Sequence, residues 1–451
     1  VKQTAVASKN EVSFLGKLTY GIGTMGGEFV YSSISFYLMY FLTDVALISP
    51  AIGGIIMAIP RGWDAFCDFI MGYVSDVVRS KRMLILIGAV PMGIAISLLF
   101  QIPDLSEIGK EIYFCFFALL SWTLQSLTYM PYASMVPNMT MDTHERTTIN
   151  AFSKFFSLIT LILLGGAFLP VVNLLSNGTN QAPGFSKVAI IIGIIVALVW
   201  IIAGLPKREK HIVPPEHRYK FKEGFGLVKQ NKPYLILVAV VCIEFIIFTS
   251  VVMVMNYFFK YCVPFESFIP IAFVCLFAVA AVSMPLWVII SKKIGKKLVY
   301  QIGFIGFGLV LLANFFNSAP NIFFLLPLFI LAGFFFAGLS LSFLSNTPDT
   351  VDYGQWKTGA RCEGFQYGIY NFTIKAAGSL SGLLVGFVLE YAGYIPNVEQ
   401  SASSLMAIRL LLTVVPFILC VAGAIIMQFY KLDAKMHAQI CRDLEAKHAI
   451  S

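Results

Sequence analysis

Charge is what this 451-residue chain has least of: Asp, Glu, Lys and Arg make up 12% of it, against 58% hydrophobic residues. An ordinary soluble surface needs roughly twice that share of charge. A soluble globule is therefore excluded, and a polytopic membrane protein is indicated. Histidine is scarce too. The five (His144, His211, His217, His437 and His448) all fall in expected cytoplasmic loops or tails. With no HExxH and no GxSxG, the chain offers neither a zinc-protease helix nor a nucleophile elbow, so catalysis is not expected. The eight cysteines (Cys67, Cys115, Cys242, Cys262, Cys275, Cys362, Cys420 and Cys441) include no CxxC pair and no histidine at ligand spacing. They predict neither a disulfide framework nor a metal site, and read as helix-packing residues. A cleaved signal is not expected, because a polar stretch, residues 1–17, precedes a first span too long for a signal core.

What the chain does have is apolar runs of about 20 residues, the length of one bilayer crossing. Twelve are expected, at 16–43, 51–77, 83–101, 111–136, 147–174, 188–205, 233–259, 269–291, 298–317, 321–346, 362–391 and 404–430. The longest polar insert, 206–232, separates spans six and seven. The chain thus divides into a six-helix bundle (1–205), a central cytoplasmic loop (206–232), a second bundle (233–430) and a cytoplasmic tail (431–451). The fold class expected is all-α, with two six-helix pseudo-repeats. If both termini and the even-numbered loops are cytoplasmic, those segments, with Lys17 at the very start of the first span counted among them, hold 25 of the 32 Lys and Arg, and the opposite loops hold three, Lys110, Lys187 and Lys260. That bias fixes the orientation. It also accounts for the +8 net charge through anionic lipid, with no nucleic-acid partner.

The remaining four cations, Arg61, Lys154, Lys375 and Arg409, lie inside spans, with Glu28, Asp64, Asp68 and Glu244. Intramembrane charges are costly and mark function by default. In PRGWDAFCDFIMGYVSD, Asp64 and Asp68 stand four apart, on one helix face. Two acids facing a cavity suit a small cation held by oxygens, or a proton shared between carboxyls that cannot both ionise cheaply. Arg61, one turn away, either pairs with Asp64 or snorkels outward. Glu28 lies in GTMGGEFVYSS, where glycines let another helix approach closely. Lys154 and Lys375, among aromatic and small residues, should face a central cavity and meet a carboxylate or a ligand oxygen, and Asn371, one turn before Lys375, and Tyr129 are expected to contact substrate with them. Arg409 reads as an interfacial anchor, and Glu244 as either functional or a structural hydrogen-bonding group. A passive channel would need rings of pore-lining groups, and such asymmetric charges do not supply them.

Short basic loops after span two (GYVSDVVRSKR) and span eight (SKKIGKK) echo each other. Together with LTYGIGTMGGEF…YLMYFLTDV, WDAFCDFIMGYVSDVVRS, DTVDYGQWKTGARCEGFQYG and GYIPNVEQS, they make the chain resemble the glycoside–pentoside–hexuronide:cation symporters, the melibiose-permease branch of the major facilitator superfamily. The likeness runs from about Leu15 to Tyr430. It implies the major facilitator fold, in which two repeats rock about a midplane site. It also implies roles by position. Asp64 and Asp68 would bind the coupling cation, Glu28 would contact sugar hydroxyls, and Lys154 (a lysine where melibiose permease has arginine) and Lys375 would be the cationic substrate contacts. The chain departs from that pattern at Tyr129, where melibiose permease has an aspartate serving cation and sugar. Ser126, one turn earlier, still offers a hydroxyl to the cation. Ala133 and Ser340 replace aromatic groups. Less stacking surface makes an α-galactoside a poor ligand, and Lys154 and Lys375 favour a substrate with its own carboxylate, such as a hexuronide.

The coupling ion is Na⁺ or H⁺, with Na⁺ preferred, and no other cofactor is expected. In DTVDYGQWKTGAR, Asp349 or Asp352 is expected to pair with Arg146 of the matching loop in the first half, with Arg361 bracing the network, closing an inner gate. A sodium-dependent lysolipid carrier is the alternative, its acyl tail served by Phe-rich stretches such as 323–336. The expected protein is a monomer in the bacterial cytoplasmic membrane, with a sugar, a coupling cation and the bilayer as its partners.

Overall fold

The computed structural model describes residues 12–77, 80–140, 143–177, 180–205, 221–317, 319, 321–360 and 362–450. Among these, regular structure is helical apart from one isolated bridge between Asn177 and Asn180. Helices are what apolar sequence in a bilayer must form, because each satisfies its own backbone N–H and C=O groups. The chain separates into two compact units, Val1–Glu216 and His217–Ser451, and the division falls in the long polar insert.

Unit 1 begins with α1 (Phe14–Ser33), started by Ser13, whose Oγ accepts from the Gly16 N–H. It runs on through two wider, π-helical turns, Ile34–Leu38 and Phe41–Val45. Then come α2 (Pro50–Val77), α3 (Lys81–Leu99), α4 (Glu107–Ala133), α5 (Thr143–Leu175) and α6 (Ala182–Gly204). Unit 2 has a short α7 (Phe221–Gln230), then α8 (Lys232–Tyr257), extended by a π-turn at Phe258–Cys262. It continues with α9 (Ile269–Ile294), α10 (Lys296–Ala313), α11 (Ile322–Thr358), α12 (Glu363–Tyr391), the broken pair α13 (Ala402–Leu412) and α14 (Val414–Gln428), and α15 (Ala434–Ile450).

Among the described residues, ten helices are long and apolar enough to cross a membrane, where the sequence leads one to expect twelve. The two outside that set are α1 and α2. Both are long enough, but Lys17 and Glu28 with many glycines in one, and Arg61, Asp64 and Asp68 in the other, lower their apolarity. The helices that miss the hydropathy measure are those that carry the site acids.

A second departure concerns the polar motif after span ten. That span was expected to end at Asn346, yet α11 continues through Pro348 to Thr358 and stops at Gly359, whose φ of +75° suits glycine. The side chains of Lys296 and Asn231 donate to the Ser345 and Thr350 carbonyls on either side of the proline, tying α11 to α10 and α8 there.

The units share one pattern of neighbours. In unit 1, α1 packs on α5 and α6, α2 on α4, and α3 on α4 and α6. In unit 2, α8 packs on α12 and α14, α9 on α11, and α10 on α11 and α14. A tight crossing in unit 1 is that between α3 and α6, where Gly93 and Gly193 face one another. A methyl group on Gly193 would lie 2.0 Å from Ser97 Oγ and 2.3 Å from the Gly93 carbonyl oxygen. No shift of a flexible side chain relieves the backbone clash. Gly193→Val is therefore expected to destabilise unit 1 by about 3 kcal/mol or more, read as a lowered thermal midpoint of the purified protein. An unchanged midpoint would mean that the crossing is looser than described.

Candidate cation and substrate site

The α2 acids meet α4 at a single hydroxyl. Ser126 Oγ lies 2.8 Å from Asp64 Oδ1 and 2.8 Å from Asp68 Oδ1. Asp64 is completely buried, and Asp68 partly so. A serine hydroxyl has one proton to give, so it donates to one of these carboxylates at a time. Three oxygens from two helices converge, a donor set that fits a small hard cation or a shared proton. Next to them, Trp63 Nε1 donates to Thr123 Oγ1 at 2.9 Å, fixing α2 against α4.

Of the two courses open to Arg61, the structure takes the inward one. The side chain is buried, with Nη1 3.5 Å from Asp64 Oδ2. Its guanidinium lies 4.0 Å from the ring centre of Trp122 and 4.8 Å from that of Tyr31. At 3.5 Å the contact with Asp64 is longer than a charge-assisted hydrogen bond of about 2.7–2.9 Å. The aromatic faces hold the cation beside the acid.

A second polar group adjoins the first. Ser157 Oγ donates to Glu28 Oε1 at 2.7 Å, and Lys154, one turn earlier on α5, is near enough for its charge to act on Glu28. The glycines around Glu28 do let neighbours close in: a methyl group on Gly27 would meet the Tyr129 ring at 2.9 Å and the Gln125 amide at 3.0 Å. Tyr129 is close enough to feel the charges of both Glu28 and Asp68. Ser126 and Tyr129 are three residues apart on α4, so one helix face carries a contact of each group.

Unit 1 thus brings together Asp64, Asp68 and Ser126, and also Glu28, Tyr129 and Lys154. In unit 2, Asn371 is exposed and Lys375 partly buried, one turn apart on α12. Of the expected gate residues, Arg361 and the side chain of Arg146 lie outside the described residues. Asp349 and Asp352 have partners within unit 2: Lys296 Nζ at 2.6 Å from Asp349, and His437 Nε2 at 3.7 Å from Asp349 and 3.2 Å from Asp352. Arg409 donates to the Phe315 carbonyl. Sequence reasoning overlooked Ser157, Trp122 and Tyr31. Two of them carried a signal, since Ser157 stands three residues after Lys154 and Trp122 four before Ser126, each on a face already marked as functional.

The model for the family described as MFS/sugar transport protein matches residues 19–434. The chain belongs to this family. The resemblance to the glycoside–pentoside–hexuronide:cation symporters read from its motifs therefore holds, and the protein is a multi-pass sugar-symporter-type membrane transporter of the major facilitator superfamily. Among its relatives are an uncharacterized symporter of Bacillus subtilis strain 168, YjmB (31% identical, over 99% of this chain and 98% of the relative), and the isoprimeverose transporter of Lactiplantibacillus pentosus (29%, over 99% and 94%). A candidate sulfoquinovose importer of Salmonella typhimurium is 28% identical, over 96% and 93%. Of solved structures, the nucleoside transporter NupG is similar with a TM-score of 0.67 at 14% identity, over 92% of this chain and 99% of that one, a likeness of fold alone.

Glu244, for which two readings were open, is buried and accepts a hydrogen bond from the Tyr300 hydroxyl. It forms a polar contact between α8 and α10. Tyr300→Phe removes that donor, and the expected stability loss is about 1–3 kcal/mol, measured by thermal unfolding. No loss would take the structural role away from Glu244.

Proposed function

We propose that this family member couples entry of a cation, Na⁺ in preference to H⁺, to uptake of a glycoside, pentoside or hexuronide across the bacterial cytoplasmic membrane, with both termini cytoplasmic and two six-helix repeats alternating access. One observation carries the coupling: a single Ser126 hydroxyl serves both Asp64 and Asp68. An ion or proton held between the two acids would lie against that same hydroxyl. Tyr129 supports a link to the substrate, because it lies within reach of the charges of both Glu28 and Asp68. By linkage, whatever the cation contributes to ordering the sugar site, the sugar returns to the cation.

An anionic sugar is the favoured substrate. Lys154 and Lys375 supply positive charge, and a relative designated for sulfoquinovose importation supports the same preference. The isoprimeverose relative supports a neutral glycoside as the second reading. A lysolipid carrier is not favoured by a family of sugar transporters, and part of the Phe-rich stretch packs inward. Phe329 is buried, Phe336 stacks on Phe248 at 5.0 Å, and Phe334 lies 5.0 Å from Trp287.

The test is uptake by proteoliposomes under an imposed Na⁺ or H⁺ gradient, with a panel of uronides, sulfonated sugars and neutral pentosides. Asp68→Asn is expected to abolish gradient-driven accumulation and weaken sugar binding by about 5–150-fold, the range of ordinary site-to-site coupling. Full accumulation by Asp68→Asn would overturn the coupling. Uptake of neutral pentosides with no uptake of uronides or sulfonates would overturn the anionic preference.

A further inference from the structure

At the end of α11, three side chains of different chemistry meet outside the site described above. His437 and Cys441 are four residues apart on α15, one turn along the same face. Asp352, on the α11 motif, comes to them from 85 residues earlier in the chain. His437 Nε2 lies 3.2 Å from Asp352 Oδ2 and 3.7 Å from Cys441 Sγ. One ligand atom from each residue can be chosen so that all three lie within 4.8 Å of one another. In a tetrahedral zinc site, with bonds of about 2.0–2.3 Å, ligand atoms stand about 3.3–3.8 Å apart, so two of the three edges are already close to that spacing. Asp349 Oδ1 lies 3.7 Å from the same histidine nitrogen, as a candidate for a fourth position, and its other oxygen is held by Lys296. All three residues are partly buried, neither sealed off nor fully in solvent.

We propose that Asp352, His437 and Cys441 form a binding site for Zn²⁺ or a similar borderline divalent ion, which clasps α15 onto the end of α11. The donor set is mixed nitrogen, sulfur and oxygen, which suits zinc or cobalt and disfavours magnesium and calcium. Binding takes the thiol as thiolate and the imidazole as neutral, so it releases protons and tightens as pH rises. Sequence spacing alone gave no metal site, because the i, i+4 histidine–cysteine pair becomes a chelate only where a third ligand arrives from a distant helix. The consequence is a tail helix whose attachment responds to metal.

The full-length protein, purified in detergent under reducing conditions and stripped of metal, is titrated with Co²⁺. The expected result is a thiolate-to-cobalt charge-transfer band with tetrahedral visible bands, saturating at one equivalent and displaced by Zn²⁺. Cys441→Ser is expected to remove the charge-transfer band, and Asp352→Asn to weaken Co²⁺ binding by about tenfold or more. An unaltered metal-free thermal midpoint in both variants keeps these losses distinct from misfolding. No charge-transfer band in the parent protein, or a band that Cys441→Ser leaves in place, would overturn the site and leave a plain Asp352–His437 pair.

Discussion

Two carboxylates on one helix face, inside an apolar chain, share one hydroxyl, and the arrangement of unit 1 follows from keeping them there. A carboxylate in hydrocarbon costs several kcal/mol unless it has partners. Asp64's partners include Ser126 on α4 and Arg61 on its own helix, and Arg61 is itself held between Tyr31 and Trp122. Each partner in turn requires a neighbour in place: α4 must lie against α2, and α1 must bring Tyr31 up to the guanidinium. The closest helix crossings serve that requirement. Gly27 lets Tyr129 and Gln125 reach α1, and Gly93 with Gly193 lets α3 and α6 touch backbone to backbone.

One hydroxyl lies between the two acids, so three oxygens from two helices converge at one place. Arg61 stands 3.5 Å from Asp64 Oδ2 with Trp122 against its guanidinium, while Ser126 meets Asp64 at Oδ1. On one face of α4, Ser126 meets the acids and Tyr129, three residues on, lies within reach of the charges of Glu28 and Asp68.

The two units repeat one set of helix neighbours but carry different chemistry. Where unit 1 has the acid pair, unit 2 has Glu244 joined to Tyr300, a contact between α8 and α10, and a polar cluster at the end of α11 built from Lys296, Asp349, Asp352 and His437. The same scaffold thus carries an acid pair about a shared hydroxyl in one unit and other polar contacts in the other. Backbone pairing of helices constrains fold, and side chains on those helices decide function.

Much was determined by sequence alone. The scarcity of charge and the length of the apolar runs gave a helical membrane protein, because hydrocarbon admits few other solutions. The polar insert marked the division between units, and the spacing of Asp64 and Asp68 put both on one face. A helix period is a local property, so composition and spacing suffice to read it. The tertiary structure decided what local spacing cannot reach. Arg61 turned inward because Tyr31 and Trp122 come from other helices, Glu28 found Ser157 across α1 and α5, and Lys296 and Asn231 reached the α11 carbonyls that flank Pro348. His437 and Cys441 acquired Asp352 in the same way. Each of these depends on residues far apart in the chain, and the energy that chooses among side-chain partners exists only once the helices have packed.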